Sequence, residues 1–542
     1  MSSEKIPCLP KLVLANIVLR SENGEIRDPS QLGLLFIGTV SSRAGYSVEI
    51  FTGENLIKKI SQSICESEAL LGFYTNSDNI LEVLRTCHYI KILHPHIKTI
   101  LGGPLANADA ENLIIHTSVD FVGRGDGEYL VLDLLNTLAS GENAFHQIDG
   151  LVYKDNLRVI HNKPRVLNKK LDDLPIPDRS LDPERAHISP AMLSTSRGCG
   201  FKCTFCYEST NRQYRYNSPA YVIKEMKYLR ENFGIKYFSF TDDIFTTHQK
   251  RLLEICDLMK KEFTPGVDLH WFCEARVDTL SRHANLIDEM KNAGLIRIQI
   301  GVESGDQNVV NLYKKEITLD EVRSTVKKLN EVGVLSIYTN FIIGGANESQ
   351  DSFLKSLDFM VELMHMAPGR MECGTCYLSP YPGTDIRLRP DIYGISLIDE
   401  EMVTGTSLGG IFVETNELDM EQIKIYKHTF VRALYDTMKD IAKKINITLI
   451  RDHLIARRDG MATSWSDYFV RDEILNAWYN FLVSENYFFA HVGGDRKQLD
   501  FIFPVRCFSK ETIVNNKLHW ELRNINLEFS EIEYFVLNPQ FN

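Results

Sequence analysis

The chain has 542 residues, of which 44% are hydrophobic and 24% are charged, and this balance is typical of a globular protein with several buried cores. Its formal net charge of −12 argues against a broad nucleic-acid-binding surface, so we expect no nucleic-acid partner. No stretch approaches the roughly 20 apolar residues that cross a bilayer, and residues 1–5 have no secretory character. We therefore expect a cytoplasmic protein without a membrane partner.

Residues 1–150 alternate between short apolar strands and helical segments, which predicts a Rossmann-like, doubly wound α/β domain. The predicted elements are a strand at 12–18, a helix at 31–45, strands at 47–51 and 69–74, a helix at 79–93, strand-to-loop junctions at 98–104 and 119–128, and a helix through Leu138. No G-x-G-x-x-G sequence opens a helix after the first strand, which argues against an ordinary dinucleotide-binding domain.

Three of these strands end in small or glycine-rich loops, at 72–77, 102–104 and 123–128. In an open parallel sheet such loops lie together at the ligand-binding edge, where glycine lets a large flat ligand or a phosphate approach the backbone. Each glycine alone could equally close a turn, but the three loops together predict a cofactor pocket. The residues assigned to this pocket are Gly72, Tyr74, Thr75, Asn76, Gly102, Gly103, Pro104, Gly123, Gly125, Gly127 and Glu128.

After a predicted linker at 151–188, six strand–helix units predict a partial (β/α)6 TIM-like barrel, open or closed, over residues 189–390. The strands are predicted at 191–195, 236–241, 269–275, 296–302, 336–343 and 371–378, and the helices between them at 219–232, 249–263, 284–293, 319–332 and 350–364. In such barrels the functional residues lie at the C-terminal ends of the strands.

Three cysteines, Cys199, Cys203 and Cys206, follow the first of these strands with C-x3-C-x2-C spacing. Three thiolates can hold an iron–sulfur cluster and leave one iron open to a substrate or cofactor. A structural zinc site needs a fourth ligand, which no nearby cysteine or paired histidine supplies. The odd total of 11 cysteines and the expected compartment disfavour disulfides. We therefore expect a metal cluster, with zinc or three unrelated thiols as the alternatives.

Charged and polar side chains gather at the ends of the later barrel strands, and together they suit a charged cofactor such as one with an amino-acid moiety. Each of them alone could instead cap a loop or lie on the surface. The residues assigned to this pocket are Asp242, Asp243, Glu274, Arg276, Glu303 and Ser304. Cys373 and Cys376 lie three residues apart on the last strand and so face opposite sides, which disfavours an auxiliary cluster or redox pair there.

Taken together, these features resemble the cobalamin-binding radical S-adenosylmethionine (SAM) enzymes, over roughly residues 10–385. The cysteine loop Arg197–Cys206 is similar to the family's cluster loop, and Tyr207 fits the aromatic position after the third cysteine. Residues 295–305 and 341–345 are similar to the family's later strands. Thr241–Phe245 departs from the family, because many members have a Gly-Gly-Glu contact to the methionine amino group there.

The N-terminal part resembles the cobalamin domain that precedes such barrels, on residues 101–104 and 119–128. Asp126 is a mild departure, because members often have Glu at that position. The first 150 residues contain no Asp-x-His-x-x-Gly ligand motif, as in the subfamily without a histidine on the lower face of cobalt. The resemblance therefore implies cobalamin, a [4Fe–4S] cluster on the three cysteines, and SAM on the open iron.

The function that the resemblance implies is methylation of an unactivated carbon in a small-molecule or peptide substrate, through a 5′-deoxyadenosyl radical and methylcobalamin. An electron donor such as flavodoxin or ferredoxin is implied as a partner, and no catalytic residue is assigned. A cobalamin-dependent cyclase or rearrangement enzyme would use the same cofactors, and a cobalamin-binding sensor or carrier is the non-enzyme alternative. Methylthiolation is disfavoured, because Cys8, Cys65 and Cys87 are too scattered to hold a second cluster.

Residues 391–542 lose the regular strand–helix alternation and are predicted to form a mixed α+β C-terminal domain. A long helix is predicted at 418–445, an aromatic-rich stretch that is mostly core at 465–490, and strands at 501–508 and 518–527. We expect this domain to cap the barrel mouth and to select the substrate.

Overall fold

The structure is a computed structural model, and it describes residues 9–17, 31–53, 55–64, 68–115, 117–156, 158–207, 213–398 and 411–471. The strands predicted at 501–508 and 518–527, and most of the aromatic-rich stretch, lie outside these residues. None of the described helices combines the length and the apolar character needed to cross a membrane.

A seven-stranded sheet with strand order β2-β1-β3-β4-β5-β6-β7 forms the N-terminal domain. Its strands are β1 (Lys11–Asn16), β2 (Val48–Thr52), β3 (Ala69–Tyr74), β4 (Lys98–Gly102), β5 (Phe121–Gly123), β6 (Leu151–Asp155) and β7 (Arg158–His161). Its helices are α1 (Leu32–Arg43), α2 (Leu56–Ile64), α3 (Ile80–Leu93), α4 (Pro104–Ala108), α5 (Ala110–Ile115) and α6 (Gly127–Ser140). Strands β1 to β5 pair in parallel, so the predicted Rossmann-like sheet is confirmed.

Helices cover both faces of this sheet, which makes it doubly wound. Leu34 of α1 and Leu134 of α6 pack in the core on one face. Ile60 of α2 and Val83 of α3 pack in the core on the other face. Because β1 is buried on both sides, its sequence reads as a nearly continuous apolar run rather than an alternation.

The sheet extends past the predicted domain boundary at residue 150. Strand β6 pairs antiparallel with β5, and β7 pairs antiparallel with β6. The predicted linker at 151–188 therefore begins with two strands of the N-terminal domain, and its remainder includes two short 3-10 helices, Leu171–Asp173 and Arg179–Leu181. The hairpin was missed because its two strands are short and half-exposed, which gives them a weak apolar pattern.

The second domain is a six-stranded parallel sheet with strand order β8-β11-β12-β13-β14-β15. Its strands are β8 (Ala191–Leu193), β11 (Tyr237–Phe240), β12 (His270–Ala275), β13 (Leu295–Ile300), β14 (Ser336–Ile343) and β15 (Met371–Tyr377). Its helices are α7 (Pro219–Phe233), α8 (Gln249–Glu262), α9 (Val277–Arg282), α10 (Asn285–Asn292), α11 (Gln307–Leu312), α12 (Leu319–Glu331) and α13 (Gln350–Met366). In the described chain β8 and β15 are edge strands, so the predicted partial barrel is confirmed in its open form.

A short antiparallel ribbon, which the sequence did not predict, lies beside the first barrel strand. It pairs β9 (Ser196–Arg197) with β10 (Arg215–Tyr216). Because the cysteine loop begins directly after β9, the ribbon sets the direction in which that loop leaves the barrel.

A helix cap and a cluster of aromatic rings help to stabilise the barrel. Thr318 and Glu321 form a reciprocal capping box at the start of α12, and such caps contribute about 1 kcal/mol each. In the core the Phe240 and Phe245 rings stack 4.5 Å apart, and Trp271 lies 5.6 Å from both ring centroids. These contacts fix the strands whose ends form the site.

The described C-terminal elements pack along the β15 edge of the barrel, both beside the strand ends and beside the strand starts. They are α14 (Asp385–Leu388), a 3-10 helix (Pro390–Tyr393), β16 (Ile395–Leu397), β17 (Val413–Thr415), α15 (Met420–Ala442), α16 (Ile447–Arg458) and α17 (Ser464–Arg471). Phe430 of α15 lies 5.2 Å from the Phe341 ring. Trp465 donates its indole N–H to the Met371 carbonyl at 2.9 Å, at the start of β15. Tyr393 of the 3-10 helix and Ile395 of β16 pack with Leu378, which follows the end of β15. The described part of the predicted capping domain therefore extends from the mouth of the barrel to the starts of its strands.

Candidate active site

The three predicted cluster cysteines line one cavity of about 250 Å³, which we call the cysteine cavity. Their loop is held by Thr204, whose N–H donates to the Tyr313 carbonyl at 3.1 Å and whose carbonyl accepts from Ile386 N–H at 3.0 Å. Burial raises the pKa of the Cys199 thiol, and Asp243 and Cys203 raise it further. Thiols must be ionised to bind a metal, so a bound metal cation would stabilise the three cysteines as thiolates.

The spacing of these thiols bears on the kind of metal group they could hold. Among the described residues, no three His, Cys, Asp or Glu side chains converge closely enough for a single metal ion. All three cysteines nevertheless border the same cavity. Three cysteines around one cavity are the donor set of an iron–sulfur cluster with one open iron.

Most of the charged residues predicted at the strand ends also line the cysteine cavity. The predicted residues that do so are Tyr207, Asp243, Glu274, Arg276 and Glu303. The Arg276 guanidinium lies 3.5 Å from the centroid of the Phe201 ring and donates to Asp278 Oδ1 at 2.8 Å, so the cysteine loop and a barrel strand end are in direct contact. Burial, together with the neighbouring Asp243 and Glu303 carboxylates, raises the pKa of Glu274 to about 7.

Two of the predicted residues, Asp242 and Ser304, are not among the residues that line this cavity. Asp242 is buried and accepts hydrogen bonds from Thr195 N–H, Thr195 Oγ1 and Ser196 Oγ, all at 2.6 Å. Ser304 Oγ lies 3.1 Å from Ser356 Oγ and accepts from the Asp306 N–H. Each side chain accepts a hydrogen bond from a backbone N–H of a neighbouring loop, because a buried N–H needs an acceptor.

Lys315 is a cavity residue that the sequence did not reveal. Its ammonium lies 2.8 Å from Glu303 Oε1, and the side chain is only 11% exposed. A Cβ at Gly301 would come within 2.2 Å of this ammonium, so Gly301 makes room for it. Glu303 itself has a φ of 70°, which is uncommon for a residue other than glycine. In sequence Lys315 belongs to a short charged run that is typical of a solvated loop.

A second cavity of about 380 Å³, the interdomain cavity, lies between the ends of β3, β4 and β5 and the ribbon of the barrel. Eight of the residues predicted for the cofactor pocket line it: Gly72, Tyr74, Gly102, Gly103, Gly123, Gly125, Gly127 and Glu128. A Cβ at Gly102 or Gly125 would meet no atom within 4 Å, so any side chain there would enter the cavity. Gly103 has a φ of 107°, and a Cβ there would lie 2.7 Å from the Thr75 carbonyl.

Three other residues predicted for this pocket are not among those that line the cavity. Thr75 is fully buried and binds the Gly102 carbonyl through both its N–H and its hydroxyl, at 2.7 and 2.9 Å. Asn76 accepts from the N–H groups of Asp78 and Asn79 before α3. Pro104 is the first residue of α4. These residues hold the loops in place, and the glycines beside them form the wall of the interdomain cavity.

The two cavities adjoin, because Gly198 and Asp243 line both of them. A ligand in the interdomain cavity and a ligand beside the cysteines would therefore be neighbours. Cys373 and Cys376 contribute to neither cavity; Cys373 is buried and Cys376 is exposed, in agreement with opposite faces of β15.

Comparison with known proteins finds similar sequences and structures. Residues 193–360 match the protein-family model of the Radical SAM superfamily. The chain is 28% identical over 376 residues to an uncharacterized methyltransferase of Pyrococcus horikoshii, which covers 65% of this chain and 76% of the relative. It is 25% identical over 294 residues to the anaerobic magnesium-protoporphyrin IX monomethyl ester cyclase of Rubrivivax gelatinosus, which covers 52% of each chain.

Two solved structures are similar over most of the chain. The radical SAM methyltransferase TsrM of Kitasatospora setae, solved with cobalamin and a [4Fe–4S] cluster, has a TM-score of 0.63 at 14% identity, covering 90% of this chain and 98% of that one. The cobalamin-dependent SAM radical enzyme OxsB, solved with aqua-cobalamin and SAM, has a TM-score of 0.64 at 16% identity, covering 97% of this chain and 78% of that one. At such identities the likeness establishes the fold.

Proposed function

We propose that this chain, a radical SAM enzyme with the fold of the cobalamin-dependent members, methylates an unactivated carbon of a small-molecule or peptide substrate. The observation that carries the proposal is the pair of adjoining cavities, one lined by three cysteines and the other by glycines. Two cofactors held there would share a border at Gly198 and Asp243. A methyl group and a substrate radical could then meet without either crossing solvent.

The charges of the cysteine cavity fit SAM. Three carboxylates line it, from Asp243, Glu274 and Glu303, together with the cations Arg276 and Lys315. SAM carries two positive groups, its ammonium and its sulfonium, and one carboxylate. The net negative lining therefore matches the net positive ligand, and the buried cations offer a partner to its carboxylate.

The interdomain cavity fits a large flat ligand such as cobalamin. Gly102 and Gly125 leave open space where any other residue would project a side chain. None of the described residues that line this cavity is a histidine. The residues thus favour a corrin bound through its shape, without the imidazole ligand that many cobalamin proteins supply.

Bound in these cavities, the cluster would supply the electron that cleaves SAM to a 5′-deoxyadenosyl radical, and cobalamin would supply the methyl group. The chain's own residues hold and shield the reactants. Lys315 and Arg276 would orient the SAM carboxylate, and Glu303 is fixed by its N–H donating to the Asn340 carbonyl at 3.0 Å. The Phe201 and Phe205 rings border the cavity and exclude water from it.

The proposal includes a partner and a compartment. Reductive cleavage of SAM consumes one electron, so an electron donor such as flavodoxin or ferredoxin is part of it. A cytoplasmic location is proposed with it, since iron–sulfur chemistry of this kind requires a reducing compartment.

The test is an anaerobic reaction of the reconstituted enzyme with SAM, dithionite and a metabolite extract. We expect 5′-deoxyadenosine together with a product heavier by one methylene, and we expect Cys203→Ala to abolish both. Methylated product without 5′-deoxyadenosine would contradict the radical route. Absence of SAM cleavage by the loaded enzyme would favour a sensor or carrier.

A cyclase that uses the same cofactors is the second candidate, and the relative of Rubrivivax gelatinosus supports it. The same reaction separates the two functions. A cyclase would give 5′-deoxyadenosine with a product that has lost hydrogen and gained no carbon.

A further inference from the structure

The ribbon beside the cysteine loop places two positive charges opposite one another. Arg197 of β9 and Arg215 of β10 are direct cross-strand partners. Like charges in this position destabilise an antiparallel pair. The side chain of Arg215 is only 7% exposed, so water does little to offset the repulsion. A two-strand ribbon with this pair needs negative charge from elsewhere to be stable.

That charge comes from the N-terminal domain. Glu128 Oε1 lies 2.6 Å from Arg197 Nη2, and Asp126 Oδ1 lies 3.4 Å from Arg197 Nη1. Asp126 also accepts two hydrogen bonds from the Arg215 guanidinium. Both acids belong to the glycine loop that borders the interdomain cavity. The loop that forms this cavity is therefore ion-paired to the ribbon that carries the cysteine loop.

The barrel holds the same ribbon from its other side. Asp242 accepts hydrogen bonds from Thr195 and Ser196, as described above. Arg251 donates to the Thr195 carbonyl at 2.9 Å and to the Asn217 carbonyl at 2.8 Å. Each strand of the ribbon is thus fixed to the barrel at one end and to the N-terminal domain through its arginine.

We infer that this ribbon is a coupling element, in which Asp126 and Glu128 neutralise the facing Arg197 and Arg215 so that the interdomain cavity and the cysteine loop become ordered together. Asp126 and Glu128 are positioning residues in this role. One consequence is reciprocal: a ligand that orders the glycine loop also orders the ribbon. The ligand part of the inference rests on the proposed function, whereas the charge pairing does not.

The test is hydrogen–deuterium exchange on the full chain, with and without hydroxocobalamin, followed in peptides that cover 195–198 and 213–217. We expect the double variant Asp126→Asn/Glu128→Gln to exchange there about tenfold faster than the wild type without any ligand. The conservative Asp126→Glu variant should keep the wild-type rate. Hydroxocobalamin should slow exchange at these peptides in the wild type. Should the double variant fail to fold, Asp126→Asn alone takes its place.

The matched control is Glu225→Gln, which alters another buried arginine–glutamate contact. Glu225 lies 3.9 Å from Arg179 and lines neither cavity. We expect its ribbon peptides to exchange at the wild-type rate. Equal acceleration in this control, or wild-type exchange in the double variant, would overturn the inference.

The measurements with hydroxocobalamin show whether a failed result contradicts the inference or the proposed function. If the wild type does not bind hydroxocobalamin, the proposed function fails, and the ligand-free comparison still decides the charge pairing. If hydroxocobalamin binds and leaves the ribbon peptides unchanged, the coupling is overturned while the function stands.

Discussion

The Lys315 ammonium lies 2.8 Å from the Glu303 carboxylate, and both side chains border the cavity that the three cysteines line. The ion pair is largely buried, with each side chain 11% exposed. Burial alone would lower the pKa of Lys315, but Glu303 and Cys203 raise it, so the ammonium stays charged. A positive charge is therefore fixed beside the thiols at the point where a SAM carboxylate would be held.

Replacing Lys315 with methionine should weaken SAM binding by about tenfold or more, because a charge-assisted hydrogen bond is lost and Glu303 is left unpaired. The measurement is the SAM concentration dependence of 5′-deoxyadenosine formation. Lys328→Met is the matched control, because Lys328 forms a 2.8 Å ion pair with Asp288 and lines neither cavity. Equal SAM affinity in the Lys315 variant and the wild type would show that this ammonium does not contact the ligand.

Larger side chains at Gly102 should fill the interdomain cavity and so weaken cobalamin binding. A Cβ at this position meets nothing within 4 Å, so the series Gly102→Ala, Val and Leu adds volume only inside the cavity. We expect hydroxocobalamin affinity to fall stepwise, by about 100-fold for Leu, while the thermal midpoint of the free protein changes little. Titration followed by intrinsic fluorescence measures this. Equal hydroxocobalamin affinity across the series would show that cobalamin binds outside this cavity.

Substitution of the neighbouring acids Asp242 and Asp243 should affect different properties, stability in one case and SAM affinity in the other. Asp242 accepts three buried hydrogen bonds, and Asp242→Asn replaces one of its two acceptor oxygens with an amide NH2 group that cannot accept, so the free energy of unfolding should fall by on the order of 3 kcal/mol. Asp243→Asn alters a cavity wall, so SAM affinity should fall with a smaller change in stability. Urea unfolding and SAM titration on both variants measure the contrast. Weakened SAM binding in Asp242→Asn without loss of stability would restore Asp242 as a ligand.

The stability of the protein without cofactors should depend on Glu274 between pH 4.5 and 7. Burial raises the pKa of this carboxyl to about 7 in the folded state, above its ordinary value of 4.5. The folded state therefore binds more protons in this window, and the free energy of unfolding falls as the pH rises. The contribution is on the order of 3 kcal/mol. Glu274→Gln should flatten the slope of urea stability against pH.

Other buried acids titrate in the same window, so the wild-type slope does not vanish in this variant. Burial also raises the pKa of Glu225 and of Glu348 to about 7. Glu225→Gln should flatten the stability slope similarly and leave SAM affinity unchanged. The distinguishing result for Glu274 is SAM affinity, which we expect to rise with pH in the wild type as the carboxylate forms, and to lose that rise in Glu274→Gln.

The sequence by itself determined the elements and the kind of chemistry. Strands, helices and glycine loops depend on residues a few positions apart, so their periodicity predicted the doubly wound sheet and the barrel almost strand by strand. The C-x3-C-x2-C spacing is equally local, and it indicated the cluster loop. Six of the eight described glycines that line the interdomain cavity were predicted for the same reason, since a strand that ends in glycine is visible in the sequence alone; Gly33 and Gly198 were not predicted.

Only the tertiary structure decided which side chains face which cavity. Asp242 and Asp243 are adjacent in sequence, yet one binds Thr195, 47 residues away, and the other lines both cavities. Asp126 meets Arg215 across 89 residues. Lys315 becomes a buried cation because Glu303 and the cysteine loop pack around it. Such pairings depend on how separate elements dock, and the free energy of docking is spread over many contacts that no local pattern records.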